Sequence, residues 1–416
     1  MLQGIGKLPV QYDIKLATGD NFVDPVVCAA GRLPFLLEDK VYAKLAQMVD
    51  DGIIAPVVEP TSWVSRMMVV GKPDGDVRIC LDPSELNKAI QHFSVPTVEQ
   101  LFAKIGKAKY FCGLDAASGF YQIPLTEEAS YLCTMATPKG RFRYLRLPFG
   151  LKYAPEVYLQ VMSNLFGDLP GVIIYFDDFL VTGETKAELE LNLRRVLLQC
   201  REKNLKLQLK KCRFFLQQLP WLGHVIGHGT LRPDPEKVDA IVNMPNPTDK
   251  QILQRLLGMV TYLDKFCKDL ATLTCPLRDI LKKDAAWCWD EQQRKAMTNL
   301  KTVLSSLPVL RLFDVSKPVL VSVDASPVGL GAVLVQDGQP VAFSSTTLTA
   351  TQRRYCQTEK ELLAIQFGLP VPVPSICLWP ACHSGVGPQA VSGLPGQADR
   401  YLFAKDPEDA APTPTV

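Results

Sequence analysis

The string Tyr175-Phe176-Asp177-Asp178 places two carboxylates side by side between two apolar runs, Val172-Ile173-Ile174 and Phe179-Leu180-Val181. Such runs favour burial, and a buried charge pair is costly unless something compensates it. In a regular strand, adjacent side chains point to opposite faces. At the tip of a hairpin both can approach one site, where two carboxylates suit a hard cation with oxygen ligands such as Mg²⁺. A bare Asp-Asp more often marks a solvated turn. Asp115 alters that balance, because it ends the strand-like run Phe111-Cys112-Gly113-Leu114 and a sheet can bring it beside Asp177. Taken alone, Asp115 reads as a turn or cap aspartate. Together, three carboxylates on neighbouring strands can hold two metal ions roughly 3.5–4 Å apart, the arrangement for in-line phosphoryl transfer.

The elements that must position these groups follow from period and punctuation. A helix is expected around residues 36–52, with Leu37, Val41, Leu45 and Met48 at helical spacing and Gly52 after its end. Residues 62–82 read as two strands around a Pro73-Asp74-Gly75 turn. Residues 110–125 read as strand, short turn and second strand, and 171–183 as a hairpin. Residues 186–204 have a helical period, and Lys206–Phe215 alternates like a strand. Residues 246–310 are mostly helical in pattern, 317–345 return to strands, and 350–369 are helical again. From Pro370 the texture breaks. Residues 370–416 hold 9 of the 32 prolines with no sustained period, and this segment is expected to be a disordered tail.

The 416 residues are 47% hydrophobic and 21% charged, enough for two or three packed domains and against global disorder. No apolar run is long enough for a membrane span, and no secretory signal is evident at the start. The 12 cysteines include no CxxC pair and read as free thiols. The four histidines are scattered, which argues against a histidine-rich metal site. The net charge of +2 neither requires nor excludes nucleic acid, so distribution decides. Arg194, Arg195, Arg201, Lys203, Lys206, Lys210, Lys211 and Arg213 lie within one stretch with only Glu202 opposing them. Such a stretch can track phosphates, although some members must belong to an ordinary solvated face.

The ordered strings VVGKPDGDVRICLDPSELNKAI, YFCGLDAASGFYQIPL, LRLPFGLKYAPEVY, YFDDFLVTG, LKLQLKKCRF, WLGHVIGHGTLRPDPEKV, LLGMVTYLDKF and DASPVGLGAVL carry a resemblance. In order and spacing the chain resembles the reverse transcriptase and ribonuclease H region of gypsy-type LTR retrotransposon Pol polyproteins, over roughly residues 5 to 369. The resemblance implies an α+β fold, a right-hand polymerase of fingers, palm and thumb, followed by a connection and a partial ribonuclease H-like domain. The implied divisions are a lead-in over 1–60, fingers and palm over 61–183, and the end of the palm with the thumb over 184–245. A connection over 246–312 and the partial ribonuclease H-like domain over 313–369 follow, then the 370–416 tail.

The resemblance also implies roles. Asp115, Asp177 and Asp178 are the polymerase metal ligands, for two Mg²⁺ ions with Mn²⁺ as a substitute. Lys72 and Arg78 hold the incoming deoxynucleoside triphosphate, a task their charge suits. Phe120 is the aromatic wall that excludes a 2′-hydroxyl, and Phe149 with Gly150 belongs to the loop beside the nucleotide. Trp221, Leu222, Gly223 and His224 form the primer grip. Asp324 and Glu361 match the first two metal-binding carboxylates of a ribonuclease H site. The third, in a segment like SDHKPL, and a fourth are not found in the sequence. The implied activity is RNA-directed DNA polymerisation on an RNA or DNA template with a primer, in the cytoplasm or in retrotransposon particles and not in a membrane. The ribonuclease H activity is expected to be lost.

Some positions depart from the family pattern. Gly71 stands where a second lysine is usual, Ser84 for an arginine, Tyr153 for asparagine or serine, and Phe176 is an uncommon residue in its motif. Codons permitted for Val371 to Ala390, shifted by one nucleotide, can spell FRFHQYVYGQPVTVESDHKP, which resembles the missing segment. An out-of-frame origin for the tail is therefore expected. Three alternatives stay open at this point: a protein that binds template–primer without extending it, a non-functional remnant, and an RNA-dependent RNA polymerase.

Overall fold

The computed structural model describes residues 4–17, 22–31, 33–71, 75–90, 98–283, 285–314 and 316–368. The turn holding Lys72 and the expected tail from Pro370 lie outside the described residues. The chain divides into two compact units, one of Met1–Val95 with Tyr110–Leu216 and the other of Pro96–Lys109 with Gln217–Val416. This division falls at Leu216, inside the segment that the sequence assigns to the end of the palm and the thumb. It also assigns residues 96–109 to the second unit.

The first unit begins with α1 (Glu38–Asp50), which buries Val41, Leu45 and Met48, one apolar stripe at helical spacing. Strands β1 (Ile54–Val57), β2 (Ser65–Gly71) and β3 (Val77–Asp82) follow, then the short α2 (Leu86–Ala89). Helix α3 (Val98–Ile105) belongs to the second unit. The first unit resumes with β4 (Tyr110–Asp115), α4 (Glu127–Leu132), β5 (Thr134–Thr137), β6 (Gly140–Tyr144) and α5 (Ala154–Phe166). It closes with β7 (Val172–Tyr175), β8 (Asp178–Gly183), α6 (Lys186–Glu202) and β9 (Arg213–Leu216).

These strands form two sheets. One has the order β1-β6-β5-β2-β3, with β2 and β5 parallel and the remaining pairs antiparallel. The other has the order β7-β8-β4-β9, antiparallel throughout. Its centre is apolar: Phe111, Cys112 and Leu114 of β4 and Phe179, Leu180 and Val181 of β8 are all buried. Phe179 meets Phe166 of α5 edge to face at 5.4 Å, a favoured aromatic geometry. Helix α6 starts at Thr185, whose hydroxyl accepts from Glu188 N–H at 3.2 Å, while Glu188 reaches back to Glu184 N–H at 2.9 Å. This reciprocal cap explains why the helix begins directly after β8.

Two expectations need correction. The second strand expected within 110–125 is a 3-10 turn, Gly119–Gln122, entered through Ser118 at φ +50°. Phe120, Tyr121 and Gln122 are all buried, so the alternation that a half-buried strand requires is missing. Gln122 acts as a side-chain bridge instead. Its Nε2 donates to the Ala117 and Lys206 carbonyls at 2.8 and 2.9 Å, and its Oε1 accepts from Lys206 N–H at 2.8 Å. The strand expected over Lys206–Phe215 is likewise interrupted by a 3-10 turn, Leu209–Lys211, before β9. That interruption turns Lys211 toward the aspartates.

The second unit comprises β10 (Gln218–Trp221), β11 (His224–Gly227), β12 (Thr230–Pro233), α7 (Pro235–Val242), α8 (Lys250–Thr261), α9 (Leu270–Asp279), α10 (Glu291–Leu304) and β13 (Leu310–Arg311). Strands β14 (Leu320–Ala325), β15 (Gly329–Gln336) and β16 (Gln339–Thr347) and helix α11 (Gln357–Gly368) complete it. Its sheets are β10-β11-β12-β13 and β14-β15-β16. Helix α11 packs on β14 and β15, where Ala364 and Gly368 are buried, and a side chain added at Gly368 would meet Val323.

The β8–α5 contact gives the first prediction. Phe179 is 1% exposed, and Phe179→Ala leaves a cavity worth about 3–5 kcal/mol. Denaturant unfolding should show the unfolding free energy falling by that amount, through a lower midpoint with no change in slope. A loss below about 1 kcal/mol would mean that the aromatic pair does not anchor the sheet.

Candidate active site

The site is built by register. Strands β4 and β8 are antiparallel with Asp115 opposite Asp178, so both carboxylates leave the same face of the sheet. Strand β7 pairs Tyr175 with Asp178, which leaves Phe176 and Asp177 as a two-residue hairpin tip. Phe176 takes φ +50°, a left-handed conformation that glycine adopts without strain and phenylalanine does not. The tip brings Asp177 to the end of the sheet that carries the other two aspartates.

The electrostatics confirm the crowding. Asp177 and Asp178 are open to solvent at the surface, yet the dense protein around them removes part of their water. That desolvation, followed by the charge of Asp115 and, for Asp177, of Asp178, pushes their carboxyls above the ordinary 3.8. Lys211 opposes this shift at both aspartates and Arg78 opposes it at Asp177. The Lys211 ammonium sits 3.2 Å from Asp115 Oδ2 and 3.5 Å from Oδ1. Below them, the Tyr158 hydroxyl is buried without a hydrogen-bond partner. Burial, then Asp177 and Asp115, pushes its pKa well up, so it stays protonated. Among the described residues, no three His, Cys, Asp or Glu side chains stand in metal-binding geometry. Asp115 is engaged by Lys211 instead. The donor set nevertheless fits a divalent cation, because three mutually repelling hard oxygen ligands are what such an ion neutralises.

An aromatic row extends from the aspartates. Phe120 is buried and packs on Tyr158 at 5.5 Å and Phe149 at 5.0 Å. The exposed Arg78 guanidinium lies 5.0 Å over the Phe149 ring. Gly150 has φ +111°, and a Cβ there would run into the Leu81 carbonyl oxygen, so only glycine lets this loop approach β3. Leu81 N–H donates to Phe149 O at 3.0 Å and completes the junction. The structure therefore gathers Asp115, Asp177, Asp178, Arg78, Phe120, Phe149 and Gly150 in one unit. Lys72 lies outside the described residues. In the sequence Lys211 appeared as one of a basic run and within LKLQLKKCRF, and Tyr158 only as the last residue of LRLPFGLKYAPEVY, and neither was assigned a role.

The second unit holds the remaining candidates. Trp221 and His224 are buried and face each other across β10 and β11, with Leu222 and Gly223 as the turn between them. Asp324 is exposed on β14 opposite Gly331. Gln357 Nε2 donates to Glu361 Oε1 at 2.6 Å and to Ala325 O at 3.2 Å, which ties α11 to the end of β14 beside Asp324. Asp269, just before α9, was missed by the sequence reading. Burial raises its pKa, Lys268 lowers it, and Asp324 raises it further.

Similarity to known proteins follows the same outline. The family model described as "Reverse transcriptase (RNA-dependent DNA polymerase)" matches residues 70–226, and "RNase H-like domain found in reverse transcriptase" matches 289–370. The chain is 34% identical to the retrovirus-related Pol polyprotein from transposon 297 of Drosophila melanogaster, over 86% of this chain and 35% of that protein. It is 32% identical to the Tf2-3 polyprotein of Schizosaccharomyces pombe, over 76% of this chain and 25% of that one. The chain thus spans between a quarter and two fifths of the length of the curated relatives it matches. Among solved structures, foamy viral protease-reverse transcriptase in complex with double-stranded DNA superposes with a TM-score of 0.79 at 21% identity, over 88% of this chain and 77% of that one. The same viral protein with an RNA/DNA hybrid gives 0.78 at 20%, over 88% and 50%. At that identity the likeness concerns the fold.

The raised carboxyls predict a pH signature. The folded-state pKa of Asp177 lies above its unfolded value of 3.8, so its ionisation opposes folding. This penalty is complete above the folded pKa and vanishes as the pH falls toward 3.8. Asp177→Asn should therefore raise Tm at pH 8 in metal-free buffer, with the gain shrinking as the pH is lowered. Thermal melts across pH check this, and an unchanged or lower Tm at pH 8 would contradict the crowding.

Proposed function

Given that this chain belongs to the reverse transcriptases of retrovirus-related Pol polyproteins, we propose that it is an RNA-directed DNA polymerase with its active site at Asp115, Asp177 and Asp178. The observation that carries this is the Asp115–Asp178 register, with Asp177 at the adjoining tip. These residues would hold two Mg²⁺ ions, or Mn²⁺, which supply activation of a primer 3′-hydroxyl and charge neutralisation at the triphosphate. The Lys211 ammonium forms an ion pair with Asp115 Oδ2 at 3.2 Å. Arg78, steadied over Phe149, presents its guanidinium to the triphosphate, and Lys72 is assigned the same task on resemblance alone. Phe120, backed by Phe149 and Tyr158, forms a wall against which the sugar packs and which leaves no room for a 2′-hydroxyl. Gly150 lets the backbone approach the nucleotide.

The partners of this reading are a primed RNA or DNA template and deoxynucleoside triphosphates. The foamy viral protein's complexes with RNA/DNA hybrid and double-stranded DNA support the nucleic-acid class. So do the exposed Arg194, Arg195, Arg201, Lys210 and Arg213 of the first unit. The Trp221–His224 hairpin takes the primer-grip role. No helix of the described residues is long and apolar enough to cross a membrane, and a setting in the cytoplasm or in retrotransposon particles is part of the proposal. The ribonuclease H-like region, with Asp324 and Glu361, is proposed to lack hydrolytic activity.

Primer extension tests the polymerase. Purified protein with an RNA template, DNA primer, deoxynucleotides and Mg²⁺ should extend the primer, and Asp177→Asn should lower the rate by about 10²-fold or more. Mg²⁺ should raise the Tm of the wild type and not of the variant. A folded sample that binds the hybrid but does not extend it would leave a binding protein only.

A labelled RNA/DNA hybrid tests the other site. No RNA cleavage is expected with Mg²⁺ or Mn²⁺. Cleavage that disappears in Asp324→Asn would overturn the assignment of an inactive domain.

A further inference from the structure

The turn between Trp221 and His224 is held from outside its own hairpin. Leu222 and Gly223 both lie in the left-handed region, at φ +48° and +74°. This suits a two-residue hairpin turn, but it strains leucine. Both turn carbonyls are satisfied by side chains. Leu222 O accepts from His224 Nδ1 at 2.8 Å, and Gly223 O accepts from the Tyr262 hydroxyl. Tyr262 directly follows α8, within the Leu256–Phe266 string that the sequence singles out and that the proposed function leaves unused.

Tyr262 also places a cation. Its ring packs on His224 at 4.8 Å and carries the Lys237 ammonium at 4.5 Å from its centre. A side chain at position 223 would run into both the ammonium and the hydroxyl, so the charge lies directly over the turn. Lys237 is exposed, and among the described residues it forms no ion pair. His224 cannot supply this charge. It is 2% exposed and enclosed by Phe102, Tyr262 and Phe266. Burial, helped by Lys265 and Lys237, pushes its pKa down to about 3, so the ring is neutral.

We propose that Tyr262 and Lys237 form a clamp on the primer end: Tyr262 is a positioning residue that fixes the Leu222–Gly223 turn, and Lys237 contacts the primer phosphodiester beside it. The inference rests on the primer-grip reading of that turn. A ring-held ammonium meets the phosphate as a point charge, without base specificity. The Tyr262 hydroxyl sets where the turn stands, and through it where the primer terminus stands.

Three variants decide it, with binding read by anisotropy of a labelled template–primer over a salt series. Lys237→Gln should weaken binding about 3-fold or more and reduce the slope of log K against log salt by about 1. Lys237→Arg should restore both. Tyr262→Phe should leave the Kd within about 2-fold, change the fluorescence of a 2-aminopurine at the primer 3′ terminus, and lower extension kcat at unchanged nucleotide KM. A wild-type salt slope in Lys237→Gln, or wild-type terminal fluorescence in Tyr262→Phe, overturns the clamp. If the wild type extends primers and Asp177→Asn does not, that failure belongs to the clamp alone. If the wild type binds without extending, anisotropy and fluorescence still decide it. A wild type that does not bind template–primer overturns both readings.

Discussion

Antiparallel pairing of β4 with β8 holds Asp115 and Asp178 opposite one another, and much of the first unit answers to that constraint. A slip of one residue would send one carboxylate to the other face. The register is therefore held by the apolar set behind it: Cys112 opposite Val181 and Leu114 opposite Phe179 share one buried face and one core. The like charges that this register concentrates are a local liability. Their carboxyls rise above the ordinary value, and the Lys211 ammonium is drawn onto Asp115. A cluster of like charges that works against stability points to function rather than to fold.

The same liability explains features that local propensity would not choose. Phe176 occupies a left-handed turn position because a two-residue tip is the shortest way to add Asp177 to the pair. The Leu209–Lys211 turn interrupts an alternating run, and the interruption lets an ammonium reach the aspartates. Gln122, buried among backbone carbonyls, ties the segment after β4 to Lys206. These departures cluster within one end of one sheet, and all serve the placement of charge there.

In the second unit the decisive contacts are aromatic. His224 is stripped of water by Phe102, Tyr262 and Phe266 and held neutral, and its Nδ1 supports a strained turn. Charge enters through lysines held over rings, Lys237 over Tyr262 and Lys265 over Phe102. The ribonuclease H-like region is organised otherwise. Gln357 links its two carboxylate-bearing elements, while Asp269 and Asp324 repel each other nearby.

Residue type and order were enough to single out Asp115, Asp177 and Asp178, the hairpin carrying two of them, and the helices with an unbroken apolar stripe such as α1 and α6. These are local properties: a period of two or 3.6, and an acidic pair between apolar runs. Family strings added Arg78, Phe120, Phe149, Gly150 and the Trp221–His224 turn. Tertiary structure alone decided which charges meet. Lys211 is one of eight similar basic residues in the stretch from 194 to 213, and only a turn after Gln208 selects it. Tyr158 and Tyr262 look like ordinary helix residues until the fold sets one beneath the aspartates and the other against Gly223. The two mistaken strands fail for different reasons: at Phe120–Gln122 burial on every side is imposed by distant segments and leaves no period to read, whereas Leu209–Lys211 is exposed and closes as a 3-10 turn through Lys211 N–H to Gln208 O.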